Sequence, residues 1–146
     1  MRNFKAAALL LAFCSVPLAA VAASPTVVAA VAATDRKPDN VKLDESRKPA
    51  QVLKFLGLKP GMKVLDLFGA NAYWAEITAP VVGPKGHVTV WEPTQFYKGD
   101  TKTGFAEFMA RHPNVSIVAS PFEAPRLPKN YADLVILNLD YHDTYG

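Results

Sequence analysis

From position 44 onward, apolar and polar residues alternate between two rhythms. Positions 46–56 place Val52, Phe55 and Leu56 on one face, the helical spacing, with Asp44 as a capping residue and Gly57 as a stop. After the turn Lys59-Pro60-Gly61, residues 63–68 form a near-continuous apolar run that reads as a strand buried on both faces, as in a parallel sheet. Small residues at 69–72 make a turn, and 73–82 fit a helix closed by Gly83-Pro84-Lys85-Gly86. A second strand spans 87–91 and ends in Glu92-Pro93. A short helix at 104–111 turns Phe105, Phe108 and Met109 inward, and 115–119 is a third strand. The three prolines within 121–130 make that stretch irregular, and 133–139 is the fourth strand.

Strands alternating with helices imply an α/β fold, a Rossmann-like doubly wound parallel sheet of which this sequence supplies the first four strands. Right-handed crossovers place helices on both faces. The turn at 69–72 then falls on the carboxyl edge, where such sheets hold ligands.

The first residues follow another pattern. Arg2 and Lys5 precede an apolar run at 6–13, and Ala20-Val21-Ala22 supplies the small residues of a signal-peptidase site. The run is broken by Pro17 and is too short for a membrane span of ~20 residues. This reads as a secretory leader at 1–22, cleaved after Ala22, with Ala30-Val31-Ala32 as an alternative site. Residues 23–43 read as a flexible tether, and 44–146 as the cofactor-binding half of a domain. Export to the periplasm is the expected localisation. The one cysteine, Cys14, lies in the leader; Phe13 immediately before it argues against a lipid attachment box.

Charge changes the picture little. The formal +3 includes Arg2 and Lys5; without the leader, 14 basic residues face 13 acidic ones. That balance gives no reason to expect a nucleic-acid partner. No pair of histidines has metal-ligand spacing, so no metal site is expected.

Val64-Leu65-Asp66-Leu67-Phe68-Gly69-Ala70-Asn71-Ala72-Tyr73-Trp74 resembles the first motif of the class I S-adenosylmethionine-dependent methyltransferases, an acid ending strand one before a glycine-rich loop. It is most similar to a group of exported methyltransferases in which an aromatic follows the strand and two aromatics open the helix. The resemblance runs from about Asp44 to Asp143 and implies S-adenosylmethionine as cofactor and a small-molecule substrate. It places Asp66 near the methionine end, and Gly69, Ala70, Asn71 and Ala72 along the cofactor. Where the group is glycine-rich, this sequence keeps only Gly69. Asp66 also has a local reading, a carboxylate stabilised before a helix N-terminus.

Glu92, 26 positions after Asp66, can accept the ribose hydroxyls of an adenosine or a nicotinamide cofactor; the absence of G-x-G-x-x-G weakens the second. Ser120 and Phe122 stand where the family places groups against adenine, or else belong to a surface loop. Past strand four, His142 titrates near neutrality and is a candidate base, with Asp143 or Asp140 to orient it, or is a solvated loop histidine. Because the family's sheet has seven strands, the sequence reads as C-terminally truncated and unable to catalyse alone. Three functions follow in descending order: an exported methyltransferase of unknown substrate, a non-catalytic ligand-binding protein on the same scaffold, and a nicotinamide dehydrogenase.

Overall fold

A computed structural model describes residues 23–139 and 141–144, without the side chains of 143 and 144. The leader expected at 1–22, with Cys14, lies outside the described residues. Four strands, β1 (Lys63–Leu67), β2 (His87–Pro93), β3 (Val115–Ser120) and β4 (Leu134–Ile136), form one sheet in the order β3-β2-β1-β4. All three pairings are parallel. The chain steps outward from β1 through β2 to β3, then returns to place β4 on the other side of β1. The order therefore reverses between β1 and β4, and open α/β sheets bind their ligands outside the carboxyl ends of the strands at such a reversal. Asp133 fastens the opposite end: its carboxylate accepts from Lys63 N–H at 2.8 Å, and its own N–H donates to Lys63 C=O at 2.8 Å.

The helix α5 (Tyr73–Val82) has the bounds its periodicity implies, and nine of its ten residues are buried. Such complete burial needs cover on both sides. The sheet supplies one; α1 (Val27–Val31) and α4 (Pro49–Phe55) join the same apolar cluster, with Ala30 2% and Leu53 0% exposed. Asn114 Nδ2 donates to Ala79 C=O and Gly83 C=O at the end of α5, a second bond at carbonyls that already accept from Gly83 N–H and Gly86 N–H, and so ties the β3 side of the chain to that helix end. From α6 (Gly99–Arg111), Phe105 and Phe108 enter the core as the spacing implies.

The structure differs from the sequence reading in four places, the first being α6, which begins at Gly99 and not at the expected 104. The helix expected over 46–56 is two pieces, α3 (Asp44–Arg47) and α4, because Pro49 has no N–H and disfavours helical geometry at Lys48, which sits at φ 50°. Restarting at Pro49 rotates the inner face onto Pro49 and Leu53 and leaves Phe55 90% exposed. Residues 23–43, read as a tether, carry α1 and α2 (Pro38–Val41); Thr26 Oγ1 caps α1, and Val27, Ala30 and Val31 pack on the core. Finally, β4 stops at Ile136, and Leu139 turns left-handed at φ 74°. Val135 on this outermost strand is 52% exposed.

Candidate cofactor-binding site

The loop between β1 and α5 is held by the two strand-end acids. Asp66, the last inward-facing residue of β1, is buried with its carboxylate directly under Gly69. A Cβ on Gly69 would collide with Asp66 Oδ2 and lie 2.5 Å from Cγ. Any side chain here would force the buried Asp66 carboxylate to shift, which is what favours glycine, since no positive φ is involved. Glu92, buried at the end of β2, accepts a hydrogen bond from Ala70 N–H at 3.0 Å. Parallel register sets this geometry: Asp66 pairs with Val90, so Glu92 lies one pleat farther along on the neighbouring strand. The two carboxylates thus meet consecutive residues of one loop.

Two residues of the loop adopt left-handed backbone without being glycine: Phe68 at φ 59° and Ala72 at φ 66°. Each conformation costs an L-residue roughly 1–2 kcal/mol. Local bonds offset part of this. Phe68 N–H donates to Trp91 C=O at 2.8 Å, Ala72 N–H to Gly69 C=O at 2.8 Å, and Asn71 Oδ1 accepts from Tyr73 N–H at 3.0 Å. The Ala72 methyl belongs to the hydrophobic core, and Ala70 is 4% exposed.

Beside the loop, Phe68 and Trp91 stack edge to face at 5.1 Å, and Phe122 tilts against both at 6.1 Å. Ser120 is buried among them. Its Oγ accepts from Trp91 Nε1 at 2.7 Å and from Arg126 N–H at 3.1 Å, leaving its hydroxyl proton as the group to offer a ligand. These residues come from β1, β2 and the β3 exit, so the parallel sheet brings their carboxyl ends to one edge.

His142 lies on an exposed single 3₁₀ turn, Tyr141–Thr144, past the end of β4. Asp140 and the side chain of Asp143 lie outside the described residues. Among the described residues there is no cluster of acids, histidines or cysteines suited to a metal ion, and no helix is long and apolar enough to cross a membrane.

Sequence reasoning missed a second cluster that adjoins the loop. Arg36, buried, donates from both terminal nitrogens to Asp44, at 2.6 and 2.9 Å, and to Val31 C=O at 2.8 Å. Its Nε lies 3.6 Å from Glu76 Oε2, and Glu76 Oε1 accepts from Lys37 N–H at 3.0 Å. The Tyr73 hydroxyl donates to Asp44 at 2.7 Å, and the Arg47 guanidinium lies 4.3 Å from the centre of the Tyr73 ring. Burial pushes the Asp44 carboxyl up, but the hydrogen bonds from Arg36 and Tyr73 outweigh it and hold its pKa below the usual carboxylate range. Burial, reinforced by the bond to Asp44, raises the Tyr73 hydroxyl far above an ordinary phenol. The only sequence signal was Tyr73 itself, a large aromatic with a polar tip opening a helix.

Comparison with solved structures decides the fold. A SAM-dependent methyltransferase from Aquifex aeolicus superposes with a TM-score of 0.56 at 24% identity, over 75% of this chain and 62% of that protein. The fold is the Rossmann-like fold of the S-adenosylmethionine-dependent methyltransferases. A protein-L-isoaspartate O-methyltransferase gives a TM-score of 0.49 at 26% identity, over 60% of this chain and 27% of its own. An arsenic(III) S-adenosylmethionine methyltransferase from Chlamydomonas reinhardtii gives 0.48 at 22%, over 78% and 38%. This chain therefore spans less than two thirds of the length of each. No protein-family model matches the sequence. No curated protein matches it either.

Proposed function

We propose that this chain is the cofactor-binding half of an exported S-adenosylmethionine-dependent methyltransferase that acts on a small molecule. One observation carries the reading: Asp66 and Glu92 converge on consecutive residues of the β1–α5 loop, at the point where the strand order reverses. A ligand there meets an acid under the loop, a second acid beside it and an aromatic wall. In this reading Glu92 accepts the ribose hydroxyls while still holding Ala70 N–H, since a carboxylate accepts about four hydrogen bonds. Asp66 sits toward the amino-acid end, and the amides at 69–72 line the path between. Phe122 and Trp91 pack against adenine, with Ser120 offering its proton to the base. The Ala72 methyl is part of the core and so does not stand on the ligand side of the loop.

The cofactor, when bound, supplies an electrophilic methyl group. The chain's own residues must align the acceptor, take its proton and keep water out. His142, with Asp143 or Asp140 to orient it, is the proposed base; it follows β4 at the same sheet edge.

A second reading, a non-catalytic binding protein, is favoured by one feature: the Ala70 amide is already used by Glu92 and so is withdrawn from any ligand. Calorimetry of the complete exported protein with S-adenosylmethionine and S-adenosylhomocysteine separates the two. Saturable heat with both supports the enzyme; no heat with either leaves the second reading.

Export rests on the leader pattern, and the packing of α1 bears on where the leader ends. A cut after Ala32 would remove Ala30 from the core and Val31 C=O from Arg36. A cut after Ala22 keeps both, and we adopt it.

A further inference from the structure

The cofactor loop is anchored from two sides, and only one of them is the sheet. Asp66 and Glu92 hold its first half, at Gly69 and Ala70. Its second half is held by residues that precede the sheet altogether. Buried Asn40 donates from Nδ2 to Asn71 C=O at 3.4 Å, across 31 positions. Asp44 holds the far end of Tyr73, the residue that directly follows left-handed Ala72. Arg36 fixes Asp44 with a two-pronged grip, and Lys37 N–H binds Glu76 in the first turn of α5.

We propose that residues 36–44 form a strap whose Asn40 and Asp44 are positioning residues for the cofactor loop, holding the 71–73 turn in the left-handed form that admits the ligand. The identity of that ligand rests on the reading given above. In a loop where alanine and asparagine stand in place of glycines, the backbone does not rest at Ala72 φ 66° unaided. The strap supplies what glycine would otherwise allow. It fixes the carbonyl on one side of Ala72 and the side chain on the other. A partly buried ion pair such as Arg36–Asp44 adds little net stability compared with apolar packing, and its better-attested use is to fix register between elements. Here it locks residues 36–44 against the start of α5. Apparent affinity scales with the fraction of molecules already in the binding geometry, so a loosened strap weakens binding without touching a ligand contact.

The test uses the complete exported protein with Asn40→Ala and, separately, Tyr73→Phe; each removes one grip and leaves Arg36–Asp44 intact. Hydrogen exchange of the ligand-free proteins is read residue by residue, together with the S-adenosylhomocysteine Kd by calorimetry. The expected result is faster exchange confined to amides 70–76, with β2 and α6 unchanged, and a Kd weakened about three- to tenfold, the worth of one hydrogen bond. Unchanged exchange at 70–76 overturns the strap. So does faster exchange spread evenly over every element with an unaltered Kd, the signature of a purely structural role. If the parent protein binds neither adenosine ligand, the cofactor reading fails, and the exchange pattern alone decides the strap: local loosening upholds it, uniform or absent loosening refutes it.

Discussion

Glu92 Oε2 accepts the Ala70 N–H at 3.0 Å, joining the end of β2 to the loop that follows β1 across 22 positions. The bond is buried, so removing the acceptor leaves a donor with no solvent to turn to. Glu92→Ala should lower stability by about 1–3 kcal/mol, measured as the shift in urea midpoint at constant slope. Glu92→Gln keeps an acceptor and should retain most of that stability, while weakening any ligand whose hydroxyls need the charged carboxylate.

Gly69 and Asp66 form a steric pair. Gly69→Ala forces its methyl into the Asp66 carboxylate and should destabilise by about 1–3 kcal/mol, as overpacking does. In an Asp66→Ala background the obstacle is gone, and the same substitution should have roughly half the effect or less. A double-mutant cycle by urea denaturation checks this; additive losses would show that the contact is not what excludes a side chain.

Two groups give the stability a signed pH dependence. His87 is partly buried and bonded to Ser116 Oγ at 2.8 Å, and desolvation depresses its pKa. The unfolded chain then takes up a proton before the folded one, so this contribution is complete above about pH 6.5 and is lost as pH falls below it. Asp44 is also depressed, by Arg36 and Tyr73 acting against burial. Its contribution is present above about pH 4 and is lost as pH falls through its lowered value. Urea midpoints should therefore fall between pH 7.5 and 5.5, flatten, and fall again below 4; His87→Gln should abolish the first step only.

The packing of α1 fixes an expectation for processing. On the proposed export, the intact mass of the processed protein should correspond to a chain that begins at Ala23. A chain beginning at Ala33 would lack α1, expose the covered side of α5 and unfold at lower urea concentration.

Much of the sheet was legible because its signals are local. Residues 63–68 are a near-continuous apolar run, 87–91 carry the β-branched and aromatic residues Val88, Thr89, Val90 and Trp91, and α5 begins and ends where Tyr73 and Gly83 imply. The convergence of the β1 and β2 ends follows from topology alone. What escaped was long-range. Nothing near Arg36 indicates that its partners are Asp44 and Glu76, so residues 23–43 read as a tether instead of a packed strap. The effect of Pro49 on Lys48 is local, and the helical spacing of Val52, Phe55 and Leu56 masked it. Ser120 was legible as a polar group at the right edge, but its engagement by the Trp91 indole was not, since 29 positions separate them.

The central claim is that the β1–α5 loop and Glu92 together receive an adenosine-bearing ligand. Amide chemical shifts of the labelled, complete protein titrated with S-adenosylhomocysteine test it most directly. Saturable shifts at Gly69, Ala70, Ala72 and Glu92 are predicted. Saturation with those four amides unmoved, or no shift anywhere, would contradict the account.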